Sequence, residues 1–230
     1  MNKINIVIPV KKTSERVKNK NFRNFYNNKS LFTLLISKLR KSKLVKDIFI
    51  SSNKTSIKKE VISLGCKFIY RDDKFCNNII PWSEMIYHTV KSLPIDLNDD
   101  LAWCHTTTPL FDNYDNAFKT YFKKIKSKYD GLVIVSTLNE FVVNEKKKPV
   151  NYSWGPWHQY SQNLEKLYTI TGTMFASKKV NFLNNRYVIS KNPHFYQISR
   201  YESLDIDDNY DFELAKLLIK NKRLKKYDQN

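Results

Sequence analysis

The residues best suited to chemistry lie toward the two ends of the chain. Between Lys11 and Lys20 five cationic side chains fall in ten positions, Lys11, Lys12, Arg16, Lys18 and Lys20, interleaved with Thr13 and Ser14 and followed by Asn21. Such a segment concentrates the positive charge and hydrogen-bond donors that a triphosphate needs. The same pattern also describes a solvated basic loop. It holds no glycine, so it is neither a P-loop nor a GxGxxG turn. Near the other end, Asp205 and Asp207 stand two apart. On a strand both carboxylates would face one way and offer the oxygen ligands that magnesium prefers. The competing reading makes Asp207 the N-cap of the last helix, although Asp208 and Asp211 suffice for that. Asp205-Ile206-Asp207 also has the form of a glycosyltransferase DxD, but such a motif is expected mid-chain, and this one lies close to the C-terminal end.

The elements around these residues decide whether they can meet. Residues 4–10 are a β-branched run ending at a proline, which predicts a buried first strand that delivers the basic loop at its carboxyl end. Leu31, Leu34, Leu35, Ile36 and Leu39 recur at helical spacing. A second strand is expected over 47–51. A helix capped by Ser56, carrying Ile57, Val61 and Leu64, should stop at Gly65. Strands over 67–70, 101–104 and 131–135 alternate with a helix over 83–93, which includes His88, and one that starts at Asp112 and Asp115. Residues 139–162, rich in Lys, Pro, Trp and Tyr and containing the cluster Trp154-Gly155-Pro156-Trp157-His158, break the rhythm and read as an arm for dimerisation. Strand content returns at 168–175, and 201–207 reads as a strand edge. Residues 208–211 open a last helix with Phe212, Leu214, Leu217 and Leu218 inward, and the tail from Lys220 is expected to fray. The alternation predicts a single α/β domain over 1–230 with a doubly wound, mostly parallel (mixed) sheet. Its ligand site should lie beyond the carboxyl ends of the strands.

At 230 residues and 41% hydrophobic content the chain can bury one sizeable core. The net charge of +18 would suit a polyanion. The lysines are scattered, however, and neither an RNP-like aromatic motif nor a KH loop is present, so nucleic acid is not the expected partner. No apolar run approaches the ~20 residues of a membrane span, and no export signal is visible. Cys66, Cys76 and Cys104 form no CxxC pair and are expected to be buried free thiols in the cytoplasm.

Four blocks, in order along the chain, carry a family resemblance. IPVKKTSERVKNKNF after the first strand resembles the IPARGGSK…KN opening of the sugar-acid cytidylyltransferases, which make CMP-activated acylneuraminates and related nonulosonic or octulosonic acids. YRDD at 70–73 supplies that family's arginine after the third strand, WCHTTTPL at 103–110 is similar to its LQPTSPL segment, and SLDIDDNYD at 203–211 is similar to its DIDTPED motif. The resemblance implies a Rossmann-like fold of the nucleotide-diphospho-sugar transferase type, a homodimer, and Mg2+-dependent transfer of CMP from CTP to a small acidic acceptor. It implies nucleotide binding by Lys11, Ser14, Arg16, Lys20, Asn21, Arg71 and Ser83, metal binding by Asp205 and Asp207, and catalysis by Lys20 and Asp207. It also implies that His105, Tyr168 and Thr171 touch the acceptor. The chain departs from the family where Lys12-Thr13 replaces a glycine pair, His105 a glutamine, Phe111 an arginine and Thr171 an asparagine beside Gly172. A phosphonate or phospho-alcohol acceptor is the alternative within the same chemistry.

Overall fold

The structure, a computed structural model, describes residues 2–14, 16–77 and 79–228, with only the backbone of Lys222; Met1 and, within the basic loop, Glu15 lie outside them. Ile4–Pro9 forms β1, and the segment that follows the basic loop makes a small antiparallel hairpin of β2, Asn24–Tyr26, and β3, Lys29–Ser30. Helix α1, Leu31–Leu39, starts in a capping box between Ser30 and Thr33. Then come β4, Val45–Ser52; α2, Lys58–Ser63; β5, Lys67–Tyr70; α3, Trp82–Lys91; β6, Asp100–Cys104; α4, Tyr114–Lys124; and β7, Gly131–Leu138. After the arm follow β8, Leu167–Lys178; α5, Lys179–Asn185; β9, Pro193–Ile198; and α6, Asn209–Lys220.

The seven-stranded sheet has the order β5-β4-β1-β6-β8-β7-β9. β5, β4, β1 and β6 are parallel, β8 runs antiparallel between β6 and β7, and β9 returns parallel to β7. Both faces are covered, which is why the INIVI run of β1 is buried at every position. Phe32 and Leu35 of α1, Val61 of α2 and Ala117 and Phe118 of α4 pack on one face. Ile86 and Val90 of α3 and Phe182 of α5 pack on the other. A third cluster seats Phe212, Ala215 and Ile219 of α6 against Phe25, Leu31 and Leu34.

The doubly wound, mixed sheet is the one expected, but several local features differ. The helix after β4 opens with a 3-10 turn, Thr55–Ile57, and no side chain caps it, although Gly65 stops it at φ +65°. The N-cap of α4 is Asn113. Asp112 instead pairs with Lys38, and Asp115 accepts from Ser42 and Lys119. Residues 201–207 pair with no strand; their backbone turns back on itself and docks through Ile206 N, which donates to the Thr107 carbonyl at 2.8 Å. The buried stripe of α6 runs through Phe212, Ala215 and Ile219, whereas Leu217 is exposed. The tail coils into 3-10 turns, Lys222–Tyr227, held by a Lys225–Glu202 ion pair at 2.9 Å and by the Tyr201 amide donating to Asp228.

Lys38 is a charged side chain buried within this scaffold. Its ammonium donates to the carbonyls of Pro109 and Phe111 and pairs with Asp112 at 2.8 Å, so α1 holds the loop that follows β6. Burial lowers its pKa, and Asp112 opposes that shift. Lys38→Met keeps the apolar stem but leaves two carbonyls without a donor. It is expected to lower the unfolding free energy by ~1 to 3 kcal/mol, read by chemical denaturation. A loss within the scatter of a surface substitution would show that the carbonyls find water instead.

Candidate active site

The parallel strands reverse direction of winding between β1 and β6: from β1 the chain winds outward to β4 and β5, then crosses back to β6. Loops leaving the carboxyl ends of two such strands diverge and open a crevice. A cavity of about 960 Å3 lies there, lined by the basic loop, by Arg71 and the residues after it, by His105, Thr106 and Thr107 after β6, and by Asp205 and Asp207. This is at the upper end of the ~300–1,000 Å3 usual for small-molecule sites.

The basic loop is shaped without glycine. Val17 is fully buried and anchors its middle, and Asn19 takes φ +53°, a left-handed conformation that Asn tolerates better than most residues. That turn aims Lys20 inward, where its ammonium donates to the Ile206 carbonyl at 2.7 Å. Burial lowers the Lys20 pKa, and Asp205 and Asp207 work against that shift. Arg16 reaches over the opening to Asp207 at 2.7 Å, an exposed pair. Asn21 is buried and accepts from Thr106 Oγ1 at 2.7 Å, joining the loop to the end of β6. The Lys12 amide donates to Asn53, which in turn donates to Asp73, so the loops after β1, β4 and β5 are braced together.

Arg71 is buried, and its guanidinium donates to Cys76 Sγ at 3.1 Å, Met85 Sδ at 3.5 Å and the Val10 carbonyl at 3.2 Å. None of these three acceptors is a carboxylate, and Arg71 lines the cavity. Cys76, expected to be buried like the other two thiols, is only half-buried and lines the cavity, whereas Cys66 and Cys104 are buried.

The two aspartates differ. Asp208 and Asp211 form the capping box of α6, and Asp207 leaves its carboxylate to Arg16. Asp205 is set deeper. Burial raises its pKa and the charge of Asp207 adds to the rise, while Thr107 and Lys20 oppose it. Its Oδ1 is buried with no hydrogen-bond partner among the described residues. A desolvated carboxylate oxygen without a partner, beside a second carboxylate, is the donor set a hard cation would satisfy. No group of three or more His, Cys, Asp or Glu side chains is placed to hold an ion among the described residues. Two carboxylates completed by substrate phosphates is a usual way to bind magnesium.

Lys11, Ser14, Arg16, Lys20, Asn21, Arg71, His105, Asp205 and Asp207, singled out in the sequence, thus line one cavity. Three others do not line it. Ser83 is in the first turn of α3, beside Trp82, which does. Thr171 is buried in the sheet, its hydroxyl on the Ile134 carbonyl and on Thr173. Tyr168 is on the exposed stretch of β8, edge-on to Phe195. Phe111 belongs to the core, against Tyr114, and His88 stacks on Phe75 at 4.0 Å. Gly172, at φ +70°, borders the deep end: a Cβ there would stand 3.2 Å from His105 Nδ1 and 3.6 Å from Asp205 Oδ2.

The sequence pattern of the cytidylyltransferase family matches residues 5–229. The chain belongs to this family. It is similar to the N-acylneuraminate cytidylyltransferase of Escherichia coli, with 25% identity over 234 residues that cover 98% of this chain and 54% of that one. It also resembles the post-translational flagellin modification protein B of Campylobacter coli, with 23% identity over 247 residues covering 99% of this chain and 100% of that one. The chain therefore spans about half the length of the first relative and all of the second. Among solved structures, CMP:2-keto-3-deoxy-manno-octonic acid synthetase complexed with CTP superposes with a TM-score of 0.68 at 12% identity, over 96% of this chain and 100% of that one. 4-Diphosphocytidyl-2C-methyl-D-erythritol synthase gives 0.66 at 10%, over 95% and 100%. At such identities these two show a shared fold.

The raised pKa of Asp205 has a consequence for stability. The folded chain binds that proton more tightly than the unfolded chain, so ionised Asp205 costs stability near neutrality, and the cost disappears below the unfolded pKa. Asp205→Asn is expected to raise the melting temperature at about pH 7, with the gain shrinking as the pH falls through the ordinary carboxylate range. Melting curves over that interval check it, and a gain that grows on acidification would contradict the assignment.

Proposed function

We propose that the chain transfers CMP from CTP to an acidic sugar of the nonulosonic or acylneuraminic kind and releases pyrophosphate. The observation that carries this is the pairing, in one cavity, of Lys11, Arg16, Lys20 and Arg71 with the carboxylates of Asp205 and Asp207. An acceptor oxygen attacks the α-phosphorus as pyrophosphate leaves, so catalysis consists of alignment and neutralisation of charge. Lys20 and Arg16 reach the phosphates from the β1 loop, Ser14 and Asn21 add neutral polar groups, and Arg71 serves the cytidine end, with Ser83 outside the cavity lining. Asp205 and Asp207 would hold magnesium, which when bound offsets phosphate charge and orients the reacting oxygens. Arg16, now paired with Asp207, would exchange that partner for phosphate. Such an exposed pair is worth ~0 to 1 kcal/mol and yields readily. The acceptor would lie toward His105 and Gly172, with Thr171 and Tyr168 behind and beyond it.

The reading places the enzyme in the cytoplasm, in keeping with three free thiols; no helix among the described residues is long and apolar enough to cross a membrane. The arm supports a homodimer. Phe141, Val143, Val150, Trp154, Trp157 and Tyr160 are exposed, and Tyr168, Ile170 and Phe195 continue the apolar surface onto the sheet.

Three experiments test these statements. Pyrophosphate release is expected with CTP and Mg2+, in preference to ATP, GTP or UTP, in the presence of a sialic, legionaminic, pseudaminic or octulosonic acid. Asp207→Asn, which leaves the Asp208–Asp211 cap in place, is expected to melt like the parent and to lose turnover; near-normal turnover at limiting Mg2+ would remove the metal assignment. Light scattering at micromolar concentration is expected to give a dimer, and a monomer would refute the role of the arm.

A further inference from the structure

Trp103 is fully buried on β6, and its indole N–H, which can only donate, points along the strand to His105 Nε2 at 2.7 Å. A ring nitrogen that accepts carries no proton, so the neutral imidazole of His105 must hold its proton on Nδ1. Protonating Nε2 would set two N–H groups against each other and leave the indole without an acceptor inside the core. Nδ1 has no hydrogen-bond partner among the described residues, and it faces the space over Gly172 that Asp205 Oδ2 also borders. Phe175 closes the edge of the ring. Burial and the charge of Lys20 push the same way, lowering the imidazole pKa to about 4.

We propose that Trp103 is a positioning residue which fixes His105 in the Nδ1–H tautomer, making it a permanent hydrogen-bond donor to the acceptor substrate. This rests on the cytidylyl-transfer reading for the identity of the ligand, and on the indole–imidazole contact for the tautomer. Two consequences follow from the chemistry. His105 is not the base that deprotonates the attacking hydroxyl, because one nitrogen already accepts and the other already carries a proton. With Lys20 as the nearby cation, the group of the acceptor that meets His105 Nδ1 presents an oxygen, whether of carboxylate, carbonyl or hydroxyl.

Nitrogen-15 NMR of the imidazole rings in the full chain tests the tautomer directly, with the His105 ring assigned as the one missing from His105→Gln. The expected spectrum at neutral pH has protonated Nδ1 and bare Nε2; a proton on Nε2, or an even mixture, overturns the proposal. In Trp103→Phe the ring is expected to populate both tautomers, and an unchanged spectrum would show that the indole does not set it. If Trp103→Phe fails to fold, the wild-type spectrum still decides. For the acceptor, using the acid that supports turnover in the pyrophosphate assay, His105→Gln retains a donor and is expected to keep a KM close to wild type. His105→Leu should raise that KM about tenfold, about 1.4 kcal/mol, with the KM for CTP unchanged. An unaltered acceptor KM in His105→Leu would overturn the donor role. If wild type turns over none of the acids, the functional reading fails while the NMR result stands on its own.

Discussion

One hydrogen bond holds the site together, from the Lys20 ammonium to the Ile206 carbonyl at 2.7 Å. It joins a loop near the start of the chain to a segment near its end, across the mouth of the sheet. Ile206 is fully buried, and its own amide is tied to Thr107, so residues 205–207 are stitched between the loops that leave β1 and β6. Together with the Arg16–Asp207 pair and the packing of Val17 in the same cluster as Ile206, that stitch fixes the two aspartates relative to the cationic loop. With it, charges of both signs are held partly out of water at close range. Asp205 with a raised pKa and Lys20 with a lowered one are the signs of that strain. A site in which both ionised forms are held at a cost gains from a ligand that brings phosphate oxygens and a cation together.

The same geometry bears on how a member of this family can lack the glycine pair of the loop after β1. Glycine would let backbone amides approach a phosphate. Here the Lys12 amide is already engaged with Asn53, and the left-handed turn falls on Asn19. Under the proposed function that work would pass to side chains: Lys20 is aimed by that turn and Arg16 is held by its pairing with Asp207.

What could be read in the sequence follows from what governs each element. β1, β4 and the α1 stripe were legible because burial on both faces, or on one helical face, writes a direct pattern of apolar residues. The crevice followed from the alternation of strands and helices. The β2–β3 hairpin, α5 and β9 were not legible: two are very short, and the β9 strand mixes polar and aromatic residues at the sheet edge. Residues 201–207 have the alternation of a strand yet pair with none, because their hydrogen bonds are claimed by Thr107, Lys20 and the tail. In the site, charged residues in family blocks were found, whereas Trp103 was hidden as an ordinary core aromatic. Only the contact with His105 Nε2 distinguishes it. Thr171, adjacent to Gly172 in sequence, points into the sheet instead of the cavity, a direction set by the irregular backbone of β8.

That irregularity has a wider meaning. Along β8 the pairing with β7 passes from Phe175 opposite Val133 to Ile170 opposite Val135, so β8 runs ahead of β7 across the shift in register. The strand is in effect two ladders spliced end to end, one in the core and one beneath the arm, with Gly172 at the splice. Ordinarily, sliding a strand by one residue would turn every side chain to the wrong face. A splice confines such a slip to one side. A change in the length of the arm half would leave the pairing of residues 131–133 with 175–177 in place, and the deep end of the cavity sits where the two ladders meet.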